Sequence, residues 1–370
     1  MTDAARFGTF FLPGPTEVRP EILQAMTRPM IPHRGRDFER LFARVHEGLR
    51  DLFRTRQPVL VSSSSATGLM EASVRCAPPG AVLSLVNGAF SERYANIAER
   101  CGRETDVIDV PWGEVVPLER VEARLRDRRY AAVTVVHSET STGALTDVRG
   151  VTELARRHGA LCLVDSVTGV GGAPLDFDGW EMDFVLTGSQ KAFALPPGLA
   201  FGAASADYVR QAAAAPARGV YFDVVEFVRS AERNQTPNTP AISLLYAVEA
   251  QVERIAAEGG AEARWQRHRE MAELTWRWVS RLADRFGDGY RVLAAEGERS
   301  PTVTTVTLPA TVESAALVAA VATRGYVIGG GYGRLRDTTF RIGHMGDHTV
   351  DGLAGCLSAV EDALAELAPA

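Results

Sequence analysis

The chain predicts an α/β fold, with a large domain on a mostly parallel sheet followed by a small C-terminal α+β domain. Three observations carry this. Short apolar runs at 58–63, 81–86, 131–137, 161–165 and 183–187 recur with helical stretches between them. That alternation builds parallel sheets whose ligand chemistry lies at the strands' carboxyl ends. A polar, proline-marked break, Asn234-Gln235-Thr236-Pro237-Asn238-Thr239-Pro240, then interrupts the pattern. Beyond it the order changes to two long helical patterns, 241–257 and 261–287, then strands near 290–294, 302–308 and 339–342, and a closing helix at 348–367.

In chain order, Leu12-Pro13-Gly14-Pro15-Thr16 is a stiff, turn-rich segment expected to run over the surface or onto a partner subunit. Phe38, Leu41, Phe42, Val45, Leu49, Leu52 and Phe53 recur at helical spacing and predict a helix over about 36–53. The apolar runs listed above follow as strands. This organisation divides the chain into an arm (1–20), a large domain (21–250) and a small domain (251–370).

Composition bounds the function without naming it. At 370 residues, with 46% hydrophobic and 23% charged residues, the chain is an ordinary globular protein. A net charge of −6 with interspersed arginines argues against a general nucleic-acid binder. No apolar run reaches the roughly 20 residues of a membrane helix, and Met1-Thr2-Asp3-Ala4-Ala5-Arg6 lacks the apolar core of a signal peptide. Cysteines at 76, 101, 162 and 356 show no metal-ligand rhythm, so no metal is expected. The expected location is the reduced cytoplasm.

Of 40 basic residues only one is lysine, Lys191. Arginine replaces lysine wherever a surface charge suffices, but not where a free amine must attack a carbonyl, because guanidinium stays protonated. A lone lysine in an arginine-rich chain therefore points to amine chemistry, against the alternative of chance survival in a GC-rich genome.

Three constellations fall at the ends of predicted strands. Ser62-Ser63-Ser64-Ser65-Ala66-Thr67-Gly68 precedes a helix, where hydroxyls and backbone N–H groups suit a phosphate; a plain serine-rich cap is the other reading. Asp165 ends Leu161-Cys162-Leu163-Val164, and a buried acid needs a cation. A cofactor pyridine nitrogen or a core arginine would each serve. Lys191 follows Phe184-Val185-Leu186, one strand–helix–strand step after Asp165. Val170-Gly171-Gly172 lacks the spacing of a dinucleotide fingerprint. A phosphate turn, a pyridinium-balancing aspartate and an imine-forming lysine are together the set a pyridoxal phosphate enzyme needs.

Several further segments carry a family resemblance. They are Pro32-His33-Arg34-Gly35-Arg36-Asp37-Phe38, Met70-Glu71-Ala72, Asn87-Gly88-Ala89-Phe90, His137-Ser138-Glu139-Thr140-Ser141-Thr142-Gly143, Val164-Asp165-Ser166-Val167, Gly188-Ser189-Gln190-Lys191-Ala192 and Phe340-Arg341-Ile342-Gly343-His344-Met345-Gly346. With them the chain resembles, over nearly its whole length, the class V aminotransferases of pyridoxal phosphate fold type I, in the alanine–glyoxylate and serine–glyoxylate branch. The resemblance implies pyridoxal 5′-phosphate as cofactor and Lys191 as its aldimine partner and proton shuttle. It implies that Asp165 keeps the pyridine nitrogen protonated, and that Phe90 stacks on the ring where the family often has tryptophan. Ser65, Ala66 and Thr67 match the phosphate turn, with Ala66 where glycine is common. Gln190 also lines the phosphate, and Thr140 matches the contact to the ring's 3′-hydroxyl region. Gln235 and Asn238 or Thr239 match a segment reaching over from the other subunit, which implies a homodimer. Arg341 matches the grip on the substrate α-carboxylate, its alternative being a salt-bridged strand arginine. His137 and His344 are expected to be structural. Arg34 and Arg36 belong either near a partner's site or on the surface.

The leading expectation is a ping-pong aminotransferase moving an amino group from alanine or serine to glyoxylate or pyruvate. One carboxylate-binding arginine favours such monocarboxylic partners. A 2-aminoethylphosphonate-type transaminase is the rival and would need a second anion site at Arg34 or Arg36. A lyase of the desulfurase kind would need a reactive cysteine on a mobile loop, whereas Cys356 sits in an apparent helix. A non-catalytic pyridoxal-phosphate-binding protein is the remote alternative, disfavoured by Lys191, Asp165 and Arg341 occurring together.

Overall fold

The protein is described from a computed structural model covering residues 7–367; the first six residues of the expected arm and the last three of the small domain lie outside it. The described chain begins with β1 (Phe10–Phe11), α1 (Pro20–Ala25) and α2 (Arg36–Phe53), followed by β2 (Val59–Ser62) and α3 (Ala66–Cys76). Next come β3 (Val82–Val86), α4 (Ala89–Arg100), β4 (Thr105–Asp109), α5 (Leu118–Asp127) and β5 (Ala132–Val136). A short hairpin, β6 (Ser138–Glu139) and β7 (Ala144–Leu145), leads to α6 (Val148–Arg157), β8 (Leu161–Asp165), β9 (Phe184–Gly188) and β10 (Ala200–Ala204). The helices α7 (Ala206–Ala213), α8 (Val224–Ala231), α9 (Ile242–Ala257) and α10 (Gly260–Phe286) follow. The last part comprises β11 (Val303–Thr307), α11 (Ser314–Ala322), β12 (Val327–Gly330), a 3-10 turn at Gly333–Leu335, β13 (Thr339–Gly343) and α12 (Val350–Leu367).

Seven strands form one sheet in the order β2-β10-β9-β8-β5-β3-β4. All ladders are parallel except the two made by β10, which runs antiparallel between β2 and β9. The central strands are buried from end to end because helices cover both faces. Chain reversal between strands puts Ser62, Asn87, His137, Asp165 and Gly188 at one edge of the sheet.

The sequence reading missed the two-residue strands β1, β6 and β7 and the longer β4, β10 and β12. Thr105–Asp109 carries polar side chains on an edge, β10 is Ala-Phe-Gly-Ala-Ala with no β-branched residue, and β12 ends in two glycines. The strand expected near 290–294 reduces to one bridge, Val292 with Val306. Two glycines, Gly287 and Gly289, precede it and shorten the pairing.

A second sheet, in the order β1-β12-β13-β11, gathers the C-terminal strands. Its edge is β1, in parallel register with β12 through Phe10 and Val327. The N-terminal segment is thereby stitched to the C-terminal part. Residues of α9 and Ala261 of α10 pack into the core beneath the large sheet, whereas Met271, Trp278, Val279 and Leu282 of α10 pack with Phe340, Ile342 and α12. The long helix thus passes from one core to the other. Among the described residues no helix is long and apolar enough to cross a membrane.

Candidate active site

β8 and β9 are parallel neighbours in which Asp165 pairs with Leu186, so Asp165 and the turn carrying Lys191 leave the same sheet edge side by side. Asp165 is buried, and its Oδ1 accepts the Val167 N–H at 2.8 Å. No cation pairs with it among the described residues, so the core-arginine reading of this aspartate is not what the fold contains. Burial pushes its pKa up to about 7; Glu139 adds to the rise, while the Val167 N–H, Lys191 and Arg93 oppose it. His137 sits behind it, with Nδ1 2.9 Å from the Ser166 hydroxyl, and burial lowers its pKa to about 4. His344 is fixed between the Thr304 hydroxyl and the Pro301 carbonyl. Both histidines are buried and hydrogen-bonded to neighbouring groups.

Lys191 lies in a turn held at both sides. The Ser189 hydroxyl donates to the Pro196 carbonyl at 2.7 Å, and Thr16 donates its N–H to the Gln190 carbonyl at 2.9 Å and its hydroxyl to the Lys191 carbonyl at 3.0 Å. The lysine amine itself donates to the Pro13 carbonyl at 2.5 Å. Burial lowers its pKa from 10.5 to about 8; Arg341 and Arg93 lower it further and Asp165 works against them. The segment Leu12–Thr16 was expected on the surface or against a partner. Its Pro13–Thr16 part instead walls the lysine of its own chain. Gly14 is required there, since a Cβ would lie 2.2 Å from the lysine Nζ and the backbone φ is +128°.

The serine turn joins β2 to α3. Ser65 is the N-cap residue, and no side chain caps the helix. The Ser62 and Ser64 hydroxyls bond each other, while those of Ser65 and Thr67 are exposed and make no hydrogen bond among the described residues. Free helix N–H groups beside two uncommitted hydroxyls form a site for a phosphate. Ala66 turns its methyl into the core alongside Leu69, which explains how the turn accepts a Cβ where glycine is common. Gln190 is half-buried beside Lys191.

Phe90 stands in the first turn of α4, whose N-terminus receives Glu139. This fully buried carboxylate accepts the N–H groups of Phe90, Ser91 and Ser141 and both serine hydroxyls. Gly88 is needed because a Cβ would meet the Glu139 Cγ at 2.3 Å. Sequence reasoning quoted Glu139 only as part of a motif; a charged residue inside an otherwise small, hydroxyl-rich run was the available signal.

Tyr332 stacks on Phe90, with ring centroids 5.5 Å apart and planes 14° apart. Arg341, on β13, donates from Nε to the Gly330 carbonyl at 2.9 Å and from Nη1 to the Thr140 carbonyl at 3.2 Å. It has no carboxylate partner among the described residues, so the salt-bridged alternative does not hold. Its Nη2 makes no hydrogen bond among the described residues, and burial lowers its pKa to about 10. Thr140 is buried, its hydroxyl 3.3 Å from that of Thr168.

The segment 235–239 lies beside Ser62 and Ser63 of its own chain. Gln235 is held between Arg34 and Glu39, and the Arg34 guanidinium also donates to the carbonyls of Thr236 at 2.7 Å and Pro237 at 3.2 Å. Arg34 is therefore the strap of this segment, a role the sequence did not disclose. Arg36 is exposed at the start of α2. Asn238 and Thr239 present exposed side chains.

The family model for class-V aminotransferases matches residues 18–333. The chain belongs to the class-V aminotransferase family. L-aspartate–glyoxylate aminotransferase of Paracoccus denitrificans is 32% identical over 96% of this chain and 91% of its own. Serine–glyoxylate aminotransferase of Methylorubrum extorquens is 30% identical over 96% of this chain and 90% of its own. The crystal structure of alanine–glyoxylate aminotransferase from Nostoc superposes with a TM-score of 0.89 at 30% identity, covering 98% of this chain and 97% of the other. This chain is accordingly a transaminase of fold type I, and its cofactor is pyridoxal 5′-phosphate. The residues fit that group. Among the described residues Asp165 is a buried carboxylate with no paired cation, the Ser65–Thr67 turn is a donor set with no anion, and Lys191 is a buried amine with its pKa lowered to about 8.

Proposed function

We propose that this class-V aminotransferase moves an amino group from a small amino acid, alanine or serine, to a small 2-oxo acid, glyoxylate or pyruvate, in ping-pong order. The observation that carries this reading is one buried lysine amine with its pKa lowered to about 8, close enough to Arg341 to feel its charge, while the Arg341 Nη2 makes no hydrogen bond among the described residues and can take a carboxylate. The glyoxylate in the names of three similar proteins supports the acceptor. Bound pyridoxal phosphate supplies an electron-withdrawing ring that weakens the substrate Cα–H bond. Asp165 holds the proton on the ring nitrogen, and Lys191 moves a proton between the substrate Cα and the cofactor C4′. Phe90 covers one ring face, and Thr140 meets the 3′-hydroxyl side. Ser65, the Ala66 N–H, Thr67 and Gln190 surround the phosphate. Arg341 aligns the α-carboxylate, which fixes which Cα bond faces Lys191.

The assembly belongs to the same proposal. Exposed Asn238 and Thr239, with Gln235 behind them, would reach a partner's phosphate in a homodimer, and the enzyme would work in the cytoplasm. The arm (1–20), large domain (21–250) and small domain (251–370) are kept as a proposed division, with the first turns of α10 as the passage between cores. The phosphonate reading loses Arg34 as its second anion site, because Arg34 is committed to 235–237, and keeps only Arg36, exposed at the start of α2. The desulfurase-like reading loses it because Cys356 is fully buried in α12, where burial raises its thiol pKa.

The test is the absorbance of the cofactor-loaded enzyme during additions of alanine or serine, then glyoxylate. The expected outcome is loss of the aldehyde-form band and its return with the oxo acid. A band that no amino acid moves would overturn the reading.

A further inference from the structure

Arg93 is a charged residue close enough to Lys191 and Asp165 to be felt by both, and the proposed reaction leaves it unused. It lies one turn beyond Phe90 on α4, with its guanidinium carbon 4.8 Å from the centre of the Phe90 ring. The same group donates from Nη2 to the Tyr332 hydroxyl at 3.3 Å. Tyr332 in turn lies under Arg341, whose guanidinium carbon is 5.3 Å from its ring centre. Two guanidinium groups thus meet one tyrosine, which itself stacks on Phe90.

Arg334 is paired with Glu92, whereas Arg93 has no carboxylate within ion-pair distance among the described residues. The Arg93 charge nonetheless lowers the pKa values of both Lys191 and Asp165. Glu139 is the other acid nearby, but its oxygens are occupied by the α4 N-terminus and two serines. Asp165 is reserved for the ring nitrogen. One substrate α-carboxylate satisfies Arg341, and a cation is left over. A neutral phenol at 3.3 Å is a weak acceptor that a carboxylate replaces with a shorter, charge-assisted bond.

We propose that Arg93 is a specificity-determining residue that receives the side-chain carboxylate of an acidic amino donor while Arg341 receives its α-carboxylate. The inference rests on the transaminase site described above and widens its donor class. The single-cation count from the sequence pointed to monocarboxylic donors alone; the second cation becomes visible only when α4 and the 331–338 loop are brought together. Tyr332 serves as the movable element, holding Arg93 until an acidic side chain displaces its hydroxyl.

Two unreactive probes of equal length test this without turnover. Binding of succinate and of butyrate to the cofactor-loaded enzyme is measured by calorimetry, in wild type, R93Q and R93K. Succinate is expected to bind wild type at least about tenfold more tightly than butyrate. R93Q should bring that ratio close to one, and R93K should keep part of it because the charge remains. The half-reaction reports the same residue: R93Q should lower the ratio of aspartate to alanine kcat/KM by about tenfold or more. Equal binding of the two probes by wild type would overturn the proposal, and needs no variant. So would an R93Q protein in which the two affinities fall together, which marks Arg93 as a mere support for Phe90. If no amino acid moves the cofactor band, the transaminase reading fails separately, and the probe ratio still decides the role of Arg93.

Discussion

Lys191 shows how far a single residue can be read. Its solitude among arginines is visible in the sequence, and its burial gives that solitude a chemical meaning. With a pKa of about 8 rather than 10.5, about a tenth of the amine is uncharged at pH 7, several hundred times more than for an ordinary lysine. Trapping of an added aldehyde by borohydride, read as the mass of the peptide containing Lys191, should therefore rise with a midpoint near pH 8. A midpoint at the ordinary lysine value would show that burial does not tune the amine. The sign follows from desolvation, which penalises the charged form, with Arg341 and Arg93 adding repulsion. Gly14 is the opposite case. Its φ of +128° is a local reason for glycine, but the atom a Cβ would strike belongs to Lys191 far along the chain.

At the scale of elements, α2, α9, α10 and the central strands are legible because their apolar spacing is strong. β10 is not, since small residues carry little strand signal and its antiparallel direction arises from its place between β2 and β9. The start of α4 is set by a residue from another element. Glu139, at the end of β6, completes the helix N-terminus by accepting N–H groups that would otherwise be orphaned in the interior. E139A should destabilise the protein by about 3 kcal/mol, the scale of losing several charge-assisted hydrogen bonds in a buried site. Urea unfolding of the cofactor-free protein would measure it. A loss under about 1 kcal/mol would mean that water replaces the carboxylate there.

Across the whole molecule, one buried ion pair ties the Arg341 strand to the Lys191 turn. Asp347 follows β13 and meets the Arg264 guanidinium at 2.9 Å, both side chains being 1% exposed. Arg264 also donates to the Ala192 carbonyl from Nε at 3.0 Å and Nη2 at 2.6 Å. Gln251 bridges the Phe193 carbonyl and Asp347. Burial alone would raise the Asp347 pKa, but Arg264, Gln251 and Arg19 outweigh it, and the carboxyl stays below its usual 3.8. A depressed folded-state pKa means stability that is present above pH 3.8 and lost as pH falls through the folded value. D347N should lower stability at pH 7 by about 3–5 kcal/mol, leaving Arg264 buried without its partner. It should also weaken the acid-induced loss of stability below pH 4. Denaturant titrations at pH 7 and pH 3.5 check both, and an unchanged pH dependence would remove Asp347 from that role.

By itself the sequence determined the layered α/β pattern, the lone lysine, the serine-rich turn ahead of a helix and the acid at the end of its strand. These are local signals, readable because spacing and residue type carry them. Tertiary structure alone decided that the N-terminal segment walls the lysine, that Arg34 straps the 235–239 segment, and that Arg93 joins Arg341 around Tyr332. Each depends on contacts between residues far apart in the chain, where burial and charge are set by the neighbours that folding supplies.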